Sequence, residues 1–216
     1  ATLDNGVDVL VKRYLNSPVT HSVDSAESPV PDMEHHVLHV PADAKATIVR
    51  QMASGQERSL LFTRTKHGAD RVVKKLSAAG IESNAIHGNK SQGARERALK
   101  GFKDGTVRIL VATDIAARGI DVAGVTHVIN FDIPANPEDY VHRIGRTGRA
   151  QAVGDAFTLV TPENAGDVRA IERFIGQKIP ELKLEGFEYR PLVARPAATV
   201  PQRAQGSPAG TLRPQR

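Results

Sequence analysis

The sequence predicts an α/β fold in which helices cover both faces of a mainly parallel sheet. Three observations support this: short β-rich runs alternate with helical patterns, the helical patterns repeat at three-to-four spacing, and breaker residues flank them. Such alternation is typical of βαβ units, whose parallel sheets are covered on both faces. The strand candidates are residues 36–40, 59–63, 83–87, 108–112, 127–131 and 155–160.

Helical patterns fill the intervals between these runs. In one of them, Ala69, Val72, Val73, Leu76 and Ala79 form a single apolar face. Because crossovers between parallel strands are right-handed, the carboxyl ends of the strands share one edge of the sheet, where ligands usually bind. We expect the candidate motifs on that edge. The helix candidates are residues 42–53, 67–79, 91–103, 137–144 and 163–176.

The length of 216 residues suits one complete domain plus part of another. The first residues predict a helix near 8–15 and a short strand or linker around 19–23. The chain opens at Ala1 without a methionine, so we expect that an upstream part is missing. The predicted divisions are a remnant of a preceding domain at 1–24, a linker at 25–32, the complete domain at 33–190 and a tail at 191–216.

The composition excludes several classes of protein. It is 40% hydrophobic and 25% charged, and no apolar run approaches the roughly 20 residues of a membrane span. Cysteine is absent, which excludes disulfides and thiolate metal sites. No leader pattern opens the sequence, so we expect a cytoplasmic protein.

The net charge of +5 is concentrated at the carboxyl end. The tail has four arginines and no acidic residue, so the other residues carry only +1. Its prolines and few large apolar groups predict disorder. It either binds RNA loosely through its arginines or serves as an inert solubilising terminus. The tail arginines are Arg195, Arg203, Arg213 and Arg216.

Residues 140–149 suggest phosphate chemistry. Arg146 and Arg149 lie three residues apart, just past a predicted helix. Each directly follows a glycine, which lets the backbone approach an anion. A guanidinium offers several charge-assisted donors to phosphate oxygens and stays protonated at any working pH. Both arginines are therefore candidates for holding a transferring phosphoryl group.

Four blocks of residues together resemble the C-terminal RecA-like lobe of a DEAD-box RNA helicase. Residues 60–66 resemble motif IV, Gln92 with Arg95 resembles the QxxR element, residues 112–121 resemble motif V, and residues 142–149 resemble motif VI. The blocks occur in the family's order across residues 33–176. The opening residues also fit, because Ala1 and Thr2 resemble the end of a Ser-Ala-Thr motif and residues 3–24 resemble the end of the first lobe.

The resemblance implies roles in binding ATP, which in this family lies between two lobes. Arg146 and Arg149 match the arginine fingers that reach the γ-phosphate, and the alternative for them is a surface salt bridge. His142 and Arg143 match residues that tie motif VI to the first lobe and the nucleotide. The alternative for His142 is a structural role.

A ribose contact is also implied within motif V. Asp121 matches the carboxylate that accepts hydrogen bonds from the ATP ribose, and Gly119 matches a position that leaves room for the ligand. The alternative for Asp121 is a turn or helix cap. Asp114 is not expected to bind magnesium, because the family's metal carboxylates lie in the first lobe.

RNA contacts are implied beside the nucleotide cleft. Thr65, Gly88, Arg95 and Thr113 match positions that touch the sugar-phosphate backbone. None of them reads a base, so we expect little sequence preference and clear salt sensitivity. The alternative for Arg95 is an ordinary charge on a helix surface. A metal site is not expected, because the cluster of His35, His36 and His39 lacks a completing pattern of cysteines or carboxylates.

The largest departure from the family is the absence of a Gly-x-x-x-x-Gly-Lys-Ser/Thr loop and of an Asp-Glu-Ala-Asp run. ATP and Mg²⁺ would therefore be held mainly by the N-terminal helicase lobe, and the 216 residues alone are predicted to be inactive. The predicted function is the C-terminal half of an ATP-dependent RNA helicase. The alternatives are a non-enzymatic module that binds RNA or a partner, and a related superfamily 2 enzyme that acts on DNA.

Overall fold

The computed structural model describes residues 5–19, 33–53, 58–120, 122–147 and 154–187. Within these residues, parallel strands form one six-stranded sheet, which confirms the predicted α/β class. The strands are β1 Met33–His39, β2 Ser59–Phe62, β3 Ser83–Ile86, β4 Ile109–Ala112, β5 His127–Asn130 and β6 Gly154–Val160. Their order across the sheet is β1-β6-β5-β2-β4-β3.

The helices confirm the predicted elements and add one. The helices are α1 Asn5–Tyr14, α2 Lys45–Met52, α3 Lys66–Ala78, α4 Gln92–Lys103, α5 Asp114–Ala117, α6 Pro137–Ile144 and α7 Ala165–Ile175. A 3-10 turn at Pro162–Asn164 precedes α7. The short helix α5 was not predicted.

Local chemistry explains where two of these helices begin. The Thr65 hydroxyl accepts a hydrogen bond from the Gly68 backbone at 3.0 Å and caps α3. The Ser91 hydroxyl accepts one from the Ala94 backbone at 3.3 Å and caps α4. Each cap satisfies a backbone N–H that the first turn of a helix leaves without a partner. Thr65 ends the loop between β2 and α3, and Ser91 ends the loop between β3 and α4, so each cap sets the start of its helix.

Hydrophobic cores lie on both faces of the sheet. Successive strand residues point to opposite faces, so Leu60 and Phe62 pack on one side while Leu61 packs on the other. The first core includes buried residues of α4, α5, α6 and α7, and the second includes buried residues of α2 and α3. The buried face of α3 contains Ala69, Val72 and Leu76, as the spacing predicts. The layers are therefore helix, sheet and helix.

The edge of the sheet at β1 is covered by a segment that follows α7. The Val37 backbone donates a hydrogen bond to Pro180 at 2.9 Å and accepts one from Leu182 at 2.8 Å, so Glu181 pairs with Val37 in parallel. Covering an edge strand removes a site at which other chains could pair. The sequence pattern did not indicate this pairing.

The predicted domain divisions stay predictions. The linker at 25–32 and the tail at 191–216 lie outside the described residues, as do the bounds at 24 and 190. Among the described helices, none combines the length and apolar character needed to cross a bilayer.

Candidate functional site

Those predicted site residues that the structure describes gather at the carboxyl edge of the sheet. Strands β2, β4 and β3 are neighbours, and Thr65, Thr113 and Gly88 follow them directly. Helix α6 follows β5, the neighbour of β2 on the other side. This is the edge on which parallel α/β sheets usually bind ligands. The position of the motifs thus agrees with the sequence-based expectation.

Arg143 is the central residue of this edge, and it is buried. Its side chain is only 2% exposed. Nε and Nη2 donate to the two carboxylate oxygens of Asp114 at 2.5 and 2.8 Å. Nη1 donates to Asn130 Oδ1 at 3.1 Å and to the Asp132 carbonyl at 2.7 Å. The guanidinium also lies over the ring of Phe62, 5.0 Å from its centroid.

These contacts join motif V to motif VI. Asp114 begins α5 and Arg143 lies in the last turn of α6, so the bidentate pair fixes the two helices to each other. The sequence predicts that Arg143 contacts the nucleotide, whereas here its guanidinium is directed into the lobe. Its contact with the nucleotide stays a prediction, and its observed contacts position the motifs.

A buried polar network continues from Arg143 beneath α6. Asn130 Nδ2 donates to Thr158 Oγ1 at 3.2 Å, and Thr158 also bonds to the Tyr140 hydroxyl. His35 Nδ1 lies 2.9 Å from that hydroxyl. Burial raises the pKa of Tyr140, so the phenol stays protonated and available as a donor. The network ties α6 to strands β1, β5 and β6.

His35 makes the stability of this network depend on pH. Burial, with a smaller effect from His36, lowers the pKa of His35 below 6.5. Below pH 6.5 the unfolded chain binds a proton that the folded chain does not, so stability falls as the pH drops. The loss is confined to the pH range between the folded-state and unfolded-state pKa values, and its slope cannot exceed about 1.4 kcal/mol per pH unit for one proton. Above pH 6.5 this contribution is constant.

We therefore expect His35→Gln to flatten the loss of stability between pH 6.5 and 5.5, as measured by urea unfolding. Glutamine does not titrate and can still bond to Tyr140. The exposed His67 serves as the control, and His67→Gln should keep the slope of the unsubstituted chain. Equal slopes for all three proteins would contradict the role given to His35.

Arg146 lies at the junction of motifs V and VI. Its Nη1 donates to the Ile120 carbonyl at 3.2 Å, and its Nε donates to the His142 carbonyl at 3.2 Å. The residue is partly exposed and lies in the turn after α6, while His142 is exposed on that helix. Arg146 is thus next to the residue that immediately precedes Asp121. Asp121 and Arg149 themselves lie outside the described residues.

The backbone conformation at position 119 requires glycine. Its φ is +77°, in the left-handed region, while a Cβ built on it would meet open space. A side chain would therefore be strained there although it would not clash with the lobe. The approach of a ligand to Gly119 stays a prediction.

The four predicted RNA-contact residues are exposed or partly exposed, and they lie at this edge. Thr65 and Gly88 are exposed, and Thr113 and Arg95 are partly exposed. The Thr65 hydroxyl accepts the helix cap bond described above, which leaves its O–H free to donate. Arg95 Nε is buried and has no hydrogen-bond partner among the described residues. The contact of Arg95 with RNA stays a prediction.

A brace holds the loop of Gly88 against α3. Asp70 Oδ1 lies 2.9 Å from Lys90 Nζ and 3.1 Å from His87 Nε2. Lys66 Nζ donates to Asn89 Oδ1 at 3.0 Å. The hydrogen bond from Lys90, with a weaker one from His87, lowers the pKa of Asp70. The brace fixes the backbone that precedes and follows Gly88.

Sequence reasoning missed several polar residues of the site. Asn130, Thr158 and Tyr140 form the buried network, and Lys45 donates from a buried position to the Phe131 carbonyl at 2.6 Å. Burial lowers the pKa of Lys45. A polar residue inside an otherwise apolar strand is a signal that could have found Asn130 and Thr158. Lys45 has no such signal, because lysine is ordinary on an exposed helix face.

Comparison with known proteins gives consistent matches. The helicase conserved C-terminal domain family matches residues 44–151. The DEAD-box ATP-dependent RNA helicase CshA of Geobacillus kaustophilus is 42% identical over 185 residues, which are 85% of this chain and 40% of that protein. CshA of Bacillus subtilis is 39% identical over 185 residues, which are 85% of this chain and 37% of that protein.

Solved structures show the same fold. The E. coli DEAD-box protein SrmB, bound to regulator of ribonuclease activity A, superposes with a TM-score of 0.68 at 34% identity, covering 70% of this chain and 91% of that chain. S. cerevisiae Dbp5, bound to RNA and ADP BeF3, superposes with a TM-score of 0.73 at 27% identity, covering 83% of this chain and 49% of that chain.

The matches fall on one region of the relatives. The chain spans about 40% of the length of the curated relatives it matches. Its family model is the C-terminal helicase domain, and its fold is the RecA-like lobe of solved DEAD-box proteins. The chain belongs to the DEAD-box helicase family and corresponds to the C-terminal lobe of that family.

Proposed function

We propose that this lobe supplies half of a split ATP site and part of an RNA-binding surface for ATP-driven local unwinding of RNA duplexes. Arg146 and Arg149 act as arginine fingers on the γ-phosphate, and Asp121 with Gly119 receives the ribose. His142 and Arg143 complete motif VI. RNA is contacted on its backbone by Thr65, Gly88, Arg95 and Thr113 without reading of bases. A cytoplasmic location stays a prediction from the sequence.

One observation carries the nucleotide half of the proposal. The 3.2 Å bond from Arg146 to the Ile120 carbonyl brings the guanidinium beside the residue before Asp121. In this proposal Arg146 contacts the triphosphate and Asp121 contacts the ribose, so that one lobe binds two parts of the same nucleotide. The buried pair of Arg143 and Asp114 supports this by holding the two motifs in register.

The chemistry of the donors fits a phosphoryl group. A guanidinium near developing negative charge stabilises the transition state without needing to change its protonation. The contacts of Arg146 with two backbone carbonyls orient its side chain. Bound Mg²⁺ would neutralise charge on the phosphates, and both it and the triphosphate would be held mainly by the N-terminal helicase lobe.

The RNA half of the proposal is supported by the types of group at the edge. Thr65 and Thr113 carry hydroxyls that can donate to phosphate oxygens, and Gly88 presents backbone without a side chain. Arg95 brings a guanidinium whose Nε has no partner among the described residues. On a plot of log affinity against log salt concentration, each contact with a single-strand phosphate makes the slope more negative by about 0.7. The brace through Asp70 keeps the Gly88 backbone in place for this contact.

The decisive experiment compares ATP hydrolysis by the chain alone with hydrolysis by a two-lobe protein. In the latter, a first lobe with the phosphate loop and the Asp-Glu-Ala-Asp motif precedes residue 1. We expect negligible hydrolysis by the chain alone, because no phosphate loop is present in its sequence. The two-lobe protein should hydrolyse ATP faster with RNA than without it, and DNA should not replace RNA.

Two outcomes would contradict the proposal. RNA-stimulated hydrolysis by the chain alone would show that its nucleotide site is complete. A two-lobe protein that binds RNA but never hydrolyses ATP would favour the non-enzymatic module instead.

A further inference from the structure

We propose that a divalent transition-metal ion, with Zn²⁺ as the best fit, binds Glu34, His36 and Asp155 at the amino-terminal edge of the sheet. This edge is opposite the one that carries the helicase motifs, so the site is separate from the proposed ATP and RNA contacts. The ion would join the edge strand β1 to its neighbour β6. Its role would be to stabilise the lobe.

Strand geometry brings the three side chains together. Glu34 and His36 are two residues apart on β1 and therefore point to the same face. In the parallel register, Glu34 is paired with Asp155 and His36 is paired with Phe157. Asp155 thus lies on that face beside Glu34. The ligand atoms of the three residues all lie within 4.8 Å of one another.

The two separations from His36 are closer to those of tetrahedral metal ligands than to those of good hydrogen bonds. His36 Nε2 is 3.5 Å from Asp155 Oδ1 and 3.7 Å from Glu34 Oε2. Zinc bonds to nitrogen and oxygen of about 2.1 Å place tetrahedral ligands roughly 3.4 Å apart. A good N–H···O bond is shorter, at about 2.9 Å. An ion between the three atoms would contact all of them once the side chains moved inward, above all that of Glu34, which is 68% exposed.

Neighbouring residues hold the ligands in place. The rings of His36 and His127 both stack on Phe157, with centroids 5.1 and 5.4 Å away. His127 Nε2 lies 3.5 Å from Asp155 Oδ2, and His127 Nδ1 lies 2.9 Å from the Thr126 hydroxyl. His127 is therefore placed to orient the Asp155 carboxylate through Oδ2, the oxygen that does not face His36. Groups around metal ligands commonly have this role.

Exposure allows an ion to enter the site. The side chains of His36, Asp155 and Glu34 are 18%, 33% and 68% exposed. Three protein ligands with an open side leave a position for water. Imidazole and carboxylate ligands without thiolate suit zinc and related divalent ions. The alternative is that the three side chains pair only with one another, without a metal.

The proposal replaces the expectation that the chain has no metal site. That expectation considered His35, His36 and His39 as one cluster. His35 bonds to Tyr140 on one face of the sheet, whereas His36 stacks on Phe157 on the other. The carboxylate partners of His36 come from its own strand and from β6. The pairing of the two strands was needed to see them together.

The test uses the complete 216-residue chain, freed of metal by a chelator, at pH 7.5. Zn²⁺ is titrated by calorimetry, and Co²⁺ is titrated while the visible spectrum is recorded. We expect one equivalent of Zn²⁺ to bind, the Co²⁺ adduct to show a d–d band of low-coordinate geometry, and the unfolding temperature to rise with Zn²⁺. His36→Gln should lose all three effects.

Matched variants separate this site from other histidines. His39→Gln changes the same strand on its other face and should bind Zn²⁺ like the unsubstituted chain. Glu34→Gln alters an exposed side chain and should weaken binding without affecting the fold, so the test does not depend on whether His36→Gln folds. His127→Gln should weaken binding by about 10- to 100-fold. Absence of binding at micromolar Zn²⁺, or equal binding by His36→Gln, would overturn the proposal.

Discussion

Replacing Arg143 with alanine is expected to destabilise the lobe by about 3 kcal/mol, the lower end of the range for breaking a buried ion pair. The lower end applies because Asp114 keeps 31% of its side chain exposed and so stays partly hydrated. The substitution also leaves Asn130 Oδ1 and the Asp132 carbonyl without their donor. Urea unfolding at pH 7 measures the change in the free energy of unfolding.

Two further variants make this prediction specific. Arg143→Lys keeps the charge but cannot bond both oxygens of Asp114, so its loss should be substantial as well. In a double-mutant cycle, Arg143→Ala and Asp114→Ala should couple by more than about 1 kcal/mol. Arg71→Ala, at an exposed position of α3, is the control and should be nearly neutral. Additive effects at Arg143 and Asp114 would show that the pair does not join the motifs.

In the two-lobe protein, Arg146→Ala is expected to lower kcat for RNA-stimulated ATP hydrolysis by about 10³- to 10⁵-fold, the effect of arginine fingers in other phosphoryl-transfer enzymes. The reason is that its positive charge acts on the phosphoryl group mainly in the transition state. RNA affinity should change little, because Arg146 is not among the predicted RNA contacts. Steady-state hydrolysis with saturating RNA measures the first quantity, and RNA titration measures the second.

A structural role for Arg146 predicts a different pattern. Each of its bonds to the Ile120 and His142 carbonyls would contribute about 1.5 to 3 kcal/mol to folding, the range for hydrogen bonds of charged groups. A variant that is merely destabilised would therefore recover its rate at lower temperature, whereas a missing finger would not. Arg149→Ala should behave like Arg146→Ala, and Arg71→Ala should hydrolyse ATP normally. Normal rates in Arg146→Ala and Arg149→Ala would refute the finger assignment.

The fold was largely predictable because its strands are buried on both faces. Strands such as Ser59–Phe62 and Ile109–Ala112 are buried along their whole length, so they appear as short apolar runs between breakers. The helices between them have clear apolar faces, and α3 and α4 also have side-chain caps. Helix α5 was missed because its four residues are too few to show a helical period.

The site was predictable in position but not in its internal contacts. The crossover rule places Thr65, Gly88 and Thr113 at one edge without any knowledge of contacts. The burial of Arg143 depends on Asp114, Asn130 and Asp132, which come from separate segments and meet only in the folded sheet. An arginine in an amphipathic helix gives no sequence signal of burial. The same limit applies to Glu34 and Asp155, which strand pairing alone brings together.

A crystal structure of the two-lobe protein with RNA and a non-hydrolysable ATP analogue would test the central claim most directly. We predict that a guanidinium nitrogen of Arg146 lies about 2.8 Å from an oxygen of the γ-phosphate, the length of a charge-assisted hydrogen bond. Asp121 should bond to the ribose of the same nucleotide. A closed complex in which Arg146 points away from the crevice between the lobes would contradict the account.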